Sequence, residues 1–303
     1  MLVTILAILV NGIIISGIME IVQGVFQFDL SVFNLFLMPF GLKITALNTH
    51  FWLTGALMSV MVILGLTPAA DTLLRLSYGF RQPLKDERDK LQRLFSEVCR
   101  AARKEPGSFK VYVMDDLSPN ACALGRNHVA VTRGLLKDFS DEQIKGILAH
   151  EMGHLHFGDT IRNRVFVTVS ILGQVSLFGY HCLSGFFSML SKFPIPLVNL
   201  FFLLISFFFS FVTWFMQLLL VLPLGIGAMF GARQNEYRAD KYAFQIGHGA
   251  GLYSALYRLL DSDSGQSSGF WTILNQSHPK TGKRIQKIEQ MQEETLPVLE
   301  MGR

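Results

Sequence analysis

His150 and His154 lie four residues apart in LAHEMGHLHFGDT, residues 148–160, and Glu151 directly follows the first histidine. On an α-helix, residues four apart lie on one face, about one turn apart. Two imidazoles at this spacing can bind one tetrahedral metal ion, and zinc is an ion that takes such ligands. Glu151 is not placed to bind the same ion, but it could act as general base toward a water molecule that zinc activates.

A catalytic zinc site needs a third protein ligand, and the segment ARQNEYRADKYA, residues 232–243, offers one. Glu236 would complete a His₂Glu set. Asp240, one helical turn further on, could accept the free N–H of a ligand histidine. The alternative is that both carboxylates belong to a solvated, charged helix face.

The chain is poor in charge, and the uncharged residues are concentrated in long runs. Only 17% of its 303 residues are charged, against about 25% in soluble domains. We predict four membrane-spanning helices, at 1–26, 51–74, 165–190 and 195–230. A cleavable signal peptide is the alternative for the first, but that segment has no Lys or Arg at its start.

The last hydrophobic stretch is too long for one upright helix. The 36 residues from Ile195 to Phe230 would extend about 54 Å as a helix. Because the hydrocarbon core is about 30 Å thick, this helix is either tilted, broken near Pro223, or continued into the soluble part.

The basic residues indicate the orientation in the membrane. Sixteen of the 27 Lys and Arg lie between Arg75 and Arg164, and nine more follow from Arg233 onward. The positive-inside rule then places segments 75–164 and 231–303, and both termini, in the cytosol. Basic segments beside an anionic leaflet account for the net charge of +4, so we expect a lipid bilayer as partner and no nucleic acid. No phosphate-binding GxxxxGK[ST] motif occurs, so we expect no nucleotide.

The two cytosolic segments are predicted to form one protease domain. Segment 75–164 contains an amphipathic helix within residues 81–107, short strands in SFKVYVMDD, ACALG and HVAVT, and a helix that starts near Ser140 and carries the histidine motif. Segment 231–303 supplies the third ligand. The predicted fold is a mainly α membrane protein with a cytosolic α+β, zincin-like (gluzincin) domain that includes a small sheet.

The sequence resembles the HtpX family of bacterial membrane-embedded zinc metallopeptidases, which is related to the CaaX prenyl protease of eukaryotes. The resemblance rests on HExxH at 150–154, ExxxD at 236–240, SPNACALG at 118–125 and SHPKTGKRI at 277–285. It implies one zinc ion per subunit, held by His150, His154 and Glu236, with Glu151 as catalytic base. It also implies a substrate-binding edge strand containing Asn120, Ala121 and Ala123, and a site closed by His278 and Arg284. Position 122 is Cys where the family usually has an aromatic residue.

The residues of these extra segments allow alternatives. An unpaired strand edge binds extended peptide through main-chain hydrogen bonds. Asn120 could bond the substrate backbone or cap the turn after Pro119. His278 could stabilise an oxyanion, or it could simply lie in a turn. Arg284 is expected to hold a carboxylate of the site, with Asp240 as a candidate.

The predicted function is a zinc endopeptidase of the bacterial cytoplasmic (inner) membrane. By resemblance, it would cleave misfolded or damaged membrane proteins in quality control and the stress response. One alternative is a site-2-type intramembrane protease, whose LDG motif finds its nearest match in LDS at 260–262. The other is a non-catalytic zinc-binding scaffold, which a fourth protein ligand such as His278 would favour.

Overall fold

The computed structural model describes residues 2–27, 31–45, 48–262 and 284–290. In chain order, the α-helices are α1 (Leu2–Phe26), α2 (Asn34–Leu37), α3 (Thr49–Gly65), α4 (Pro68–Ser77), α5 (Lys85–Ala101), α6 (Arg133–Asp138), α7 (Asp141–Phe157), α8 (Asp159–Leu190), α9 (Pro196–Met216), α10 (Leu222–Gln245) and α11 (Gly249–Ser262), followed by a helical segment at 284–290. The strands are β1 (Phe80–Arg81), β2 (Lys110–Met114), β3 (Ala121–Leu124) and β4 (His128–Thr132). The chain divides into two compact units, a helical unit (Met1–Thr67 with Asn163–Ala228) and a mixed unit (Pro68–Arg162 with Met229–Arg303).

The helical unit is built from long apolar helices. Ile14 of α1 packs against Leu177 and Tyr180 of α8, and on the next position Ile15 packs against α3 and α8. In the described part of the chain, three helices are long and apolar enough to cross a membrane, namely α1, α8 and α9. A fourth span results if α3 and α4, which are bent by 65° at their junction, are counted together.

Three of the four predicted spans differ from the helices of the structure. The span predicted at 51–74 is broken after Gly65, because Pro68 starts a new helix and disfavours helical conformation just before it. The span predicted at 165–190 starts earlier, at Asp159, so that α8 is 32 residues long. The stretch predicted at 195–230 contains α9 and the first part of α10.

The long hydrophobic stretch continues as a helix beyond Phe230. After α9, a π-helical turn at Gln217–Val221 leads directly into α10, which ends only at Gln245. Pro223 follows this turn and has no N–H with which to donate a backbone hydrogen bond. A local widening to π geometry accommodates that proline without ending the helix. The helix is therefore not ended near Pro223, and it runs on to Gln245.

The mixed unit contains the small sheet that the sequence predicts. Its strand order is β1-β2-β4-β3, with β2 and β4 parallel and the two outer pairs antiparallel. β3 therefore lies at an edge of the sheet as described. One sheet face supplies Val113, Val129 and Val131 to a core shared with α5, α6, α7 and α11. The other face forms a smaller cluster around Tyr112 and Met114.

Two glycines allow α7 to pack unusually close to α11. A Cβ at Gly146 of α7 would lie 2.1 Å from the backbone nitrogen of Leu252. In the reverse direction, a Cβ at Gly251 would lie 2.1 Å from the carbonyl oxygen of Glu142. The two helix backbones are thus in direct contact, and this contact fixes α7 against the rest of the mixed unit.

Candidate metal centre

Helix α7 starts at a well-formed cap and presents the histidine motif inside the mixed unit. The Ser140 hydroxyl accepts a hydrogen bond from the Gln143 N–H at 3.3 Å, and the Gln143 side chain accepts one from the Ser140 N–H at 3.0 Å. This reciprocal arrangement is a capping box, which satisfies N–H groups at the helix start. About three turns after Ser140, His150 and Glu151 are both buried, at 3% and 5% exposure.

Helix α10 packs against α7 at Gly153, the one glycine of the HExxH motif. A Cβ at Gly153 would lie only 3.0 Å from the Cα of Ala239. The close approach places Glu236 of α10, one turn before Ala239, opposite the two histidines. Helix–helix packing therefore brings this ligand to the site, although 81 residues separate it from His154 in the sequence.

His150, His154 and Glu236 bring three ligand atoms together. The two Nε2 atoms are 3.2 Å apart. Glu236 Oε2 lies 3.3 Å from His150 Nε2, and Glu236 Oε1 lies 3.3 Å from His154 Nε2. These residues form the one cluster of potential metal ligands found among the described residues.

The donor set suits a zinc ion. Two nitrogen ligands at about 2.0–2.1 Å from a tetrahedral zinc ion lie about 3.3–3.4 Å from one another. The 3.2 Å between the two Nε2 atoms is close to that length, and each Nε2 faces a different oxygen of the Glu236 carboxylate at 3.3 Å. Two imidazoles with one carboxylate form a typical catalytic donor set.

Asp240 and Arg284 support His150 from behind. The Nδ1 atom of His150 lies 2.8 Å from Asp240 Oδ1, so this nitrogen donates to the carboxylate while Nε2 faces the other ligands. Arg284 in turn donates to both oxygens of Asp240, at 2.5 and 3.0 Å. It also lies 3.4 Å from Glu236, and all these side chains are buried.

His154 has an equivalent carboxylate partner, Asp159, which the sequence analysis missed. Its Oδ2 lies 3.1 Å from His154 Nδ1. Its Oδ1 accepts hydrogen bonds from Arg162 and, at 2.5 Å, from Arg238. The feature of the sequence that could have indicated Asp159 is the preceding glycine. Gly158 adopts a left-handed conformation at φ 68° and turns the chain so that Asp159 returns toward the motif.

The electrostatic field of this cluster favours a cation. Burial lowers the pKa of the His154 imidazole, but the hydrogen bonds to Asp159 and Glu236 outweigh burial and raise it to about 10. Burial raises the pKa of the Asp240 carboxyl, but Arg284 outweighs that effect and lowers it to about 2. Asp240 and Asp159, whose pKa is also lowered, therefore remain charged, and positive charge on the histidines that they face is stabilised.

The other predicted site residues take different positions. Ala121 and Ala123 lie on the edge strand β3, and the Asn120 side chain accepts a hydrogen bond from the Ala121 N–H at 2.8 Å, within its own turn. His278 lies outside the described residues. His156 points away from the ligand set and stacks on Tyr242, with ring centroids 4.8 Å apart.

Residues 85–292 match the sequence model of peptidase family M48, which is more than half of the chain. The chain belongs to this family. It is 29% identical to the Protease HtpX of Legionella pneumophila strain Lens over 252 residues, covering 73% of this chain and 82% of the relative. It is 28% identical to the Protease HtpX homolog of Campylobacter concisus over 212 residues, covering 61% and 69% respectively.

A solved structure has a similar fold. The crystal structure of S. mikatae Ste24p superposes with a TM-score of 0.50 at 19% identity. The alignment covers 79% of this chain and 58% of the Ste24p chain, so this chain corresponds to somewhat more than half of that protein. The predicted HtpX-like membrane metallopeptidase is thereby confirmed at the level of family, and the apolar helices agree with a membrane protein.

Proposed function

We propose that this M48 peptidase is a zinc-dependent endopeptidase whose metal is held by His150, His154 and Glu236. The observation that carries the proposal is the convergence of the two Nε2 atoms, 3.2 Å apart, on the Glu236 carboxylate, whose two oxygens each lie 3.3 Å from one of them. A bound zinc ion would supply Lewis acidity and lower the pKa of a water molecule in the site. The protein residues around it account for the rest of the reaction.

The two carboxylates behind the histidines set the tautomers of the ligands. Asp240 and Asp159 each accept the Nδ1–H of one histidine, which leaves the Nε2 lone pair of that ring for the metal. Arg284 holds Asp240, and this pair fixes the plane of the His150 ring. The ligand set is therefore preorganised by buried hydrogen bonds.

Glu151 is the proposed general base. It is buried beside its neighbour His150 and is not one of the three clustered ligands. Its carboxylate takes a proton from the attacking water while the water oxygen bonds to the peptide carbon. It then delivers that proton to the nitrogen of the leaving amine, so that the C–N bond breaks and the base is regenerated.

We infer that the substrate is an extended segment of an unfolded or damaged membrane protein. The edge strand β3 could bind such a segment through main-chain hydrogen bonds, which select for extended conformation more than for sequence. Ala121 and Ala123 have small side chains that would allow close approach of a peptide. Cleavage on the cytosolic side of a bacterial inner membrane, as part of quality control under stress, is the setting that the basic segments support.

The proposal is tested with detergent-purified protein that has been stripped and reloaded with zinc, using an unfolded membrane protein as substrate. Glu151→Gln should bind zinc like the wild type but lose cleavage, and Glu236→Ala should lose both. Glu142→Gln is the matched control, because Glu142 lies on the same helix with a side chain that is 72% exposed. Cleavage by Glu151→Gln at the wild-type rate would exclude the role of that residue as base.

The same measurements distinguish the two alternatives. In a site-2-type protease Asp261 of the LDS segment would be the third ligand, so Asp261→Asn would release zinc and Glu236→Ala would not. Helix α7, which carries HExxH, has only 17 residues and begins with Asp141 and Glu142, and these features favour the peptidase whose third ligand is Glu236 over a site-2-type protease. A non-catalytic scaffold would bind zinc tightly and never cleave.

A further inference from the structure

Helix α4 turns its large apolar side chains outward, whereas a surface helix of a soluble domain turns them inward. Its two large outward side chains, Leu73 and Leu76, are 68% and 67% exposed. They lie three residues apart and so share one face of the helix, with Ala69 and Thr72 beside them. A helix packed on a soluble domain normally turns its apolar face inward.

The charged residues of α4 point the other way, toward the sheet. Arg75 donates to the Tyr112 hydroxyl at 2.6 Å, and its guanidinium carbon lies 5.0 Å from the centre of that ring. The Asp71 carboxylate lies against Gly125, where an added Cβ would come within 2.9 Å of Oδ1. Both charges of α4 are thus used inside the mixed unit, and an apolar face is left outside.

The short connection of α4 to the apolar helix α3 indicates that the exposed face of α4, which carries Leu73 and Leu76, contacts lipid. Only Leu66 and Thr67 separate α3 from α4, and the exposed apolar side chains of the last turn of α3, Ile63 and Leu64, are 64% and 54% exposed. Exposed apolar side chains therefore lie on both sides of this short connection in the sequence. With 17 residues, α3 is at the lower end of the length that spans a bilayer, whereas the ten residues of α4 extend only about 15 Å.

We propose that α4 lies along the membrane surface as an interfacial helix, with Leu73 and Leu76 inserted at the level of the lipid headgroups. The bend of 65° at the junction turns the chain away from the direction of α3, as an interfacial helix requires. Because α4 also binds the sheet through Arg75, it attaches the mixed unit to the lipid surface. This inference does not depend on the proposed peptidase activity.

The experiment uses the full chain in vesicles of phosphatidylcholine and phosphatidylglycerol. An environment-sensitive fluorophore is attached at Leu73→Cys or Leu76→Cys, each in a Cys122→Ala, Cys182→Ala background, because Cys182 is exposed and Cys122 is partly exposed while Cys99 is buried. Lys104→Cys, at an exposed position in the turn after α5, is the control that should face water. Both test positions are exposed, so labelling them should leave the fold intact.

The expected result is that labels at 73 and 76 are quenched most by lipids that carry a nitroxide near the headgroup, and are shielded from aqueous iodide. The label at 104 should be quenched by iodide and not by lipid. Equal iodide quenching at all three positions would overturn the proposal, since α4 would then face water. Shielding from iodide without lipid quenching would mean that protein covers the helix, and strongest quenching by a nitroxide near the chain end would place α4 inside the bilayer. Either of those results also overturns it.

Discussion

The sharpest test of the metal centre is Asp159→Asn, because this substitution changes charge and hydrogen bonding with almost no change in volume. In the structure, one oxygen of Asp159 faces His154 and the other faces Arg162 and Arg238. An asparagine can present its oxygen to only one side. Its NH₂ group must then point either at the Nδ1–H of His154 or at two guanidinium groups, so that donors face donors.

The expected loss follows from what this carboxylate does for its histidine. Replacing the partner of a ligand histidine typically lowers metal affinity about 10- to 100-fold, which corresponds to about 1.4–2.7 kcal/mol. We expect the upper end of that range, roughly 100-fold. The reason is that Asp159 is buried at 6% exposure and its loss also leaves two arginines beside the site without their carboxylate.

The assay is a zinc titration of the metal-free protein in competition with a chelator of known affinity, followed by cleavage measured at saturating zinc. Asp159→Asn should bind zinc far more weakly and recover part of its activity when zinc is in excess. Asp138→Asn, at an exposed position at the end of α6, should bind zinc like the wild type. A zinc affinity of Asp159→Asn within about twofold of the wild type would refute the argument that this carboxylate holds a ligand, since the expected change is at least about tenfold.

Two further predictions concern stability. Gly146→Ala places a Cβ 2.1 Å from the backbone of Leu252 and should destabilise the fold by about 1–3 kcal/mol, seen as a lower Tm in detergent. Gly185→Ala, which meets nothing within 4 Å, should leave Tm unchanged or slightly raised, and an equal loss in both variants would contradict the packing argument. Hydrogen bonds from Arg81 hold the pKa of Glu87 below its usual value, so this pair stabilises the fold above about pH 4.3 and the contribution is lost as pH falls. Glu87→Gln should therefore be less stable than the wild type by about 1 kcal/mol at neutral pH, and a difference that persists undiminished in acid would count against the pair.

Local features of the sequence predict much of the mixed unit. The spacing of His150 and His154 predicts a helix, and the alternation in KVYVM and HVAVT predicts strands, because both signals depend only on neighbours in the chain. Strands β2 and β4 pair in parallel although β3 lies between them in the sequence, and neighbour-based signals could not predict this pairing. It depends on which hydrophobic faces the helices cover, and that is set by contacts distant in sequence.

The membrane segments show where composition alone is insufficient. Absence of charge locates α1, α8 and α9 but does not locate their ends. Helix α8 begins at a charged residue, Asp159, because that carboxylate is neutralised by two arginines and a histidine. The break between α3 and α4 falls just before Pro68, inside a run without charged residues, so a hydropathy average over a long window does not detect it.

The metal centre itself combines one local and one distant requirement, and this explains why the sequence predicts its ligands better than their supports. The ligands His150 and His154 are related by helical geometry, and Glu236 and Asp240 by the same spacing on α10. The two helices meet because Gly153 has no side chain to keep Ala239 away. Asp159 reaches His154 through the reversal at Gly158, a conformation that a larger residue would resist. The site therefore requires glycine at positions 153 and 158 as well as the three ligands, although neither glycine is a metal ligand.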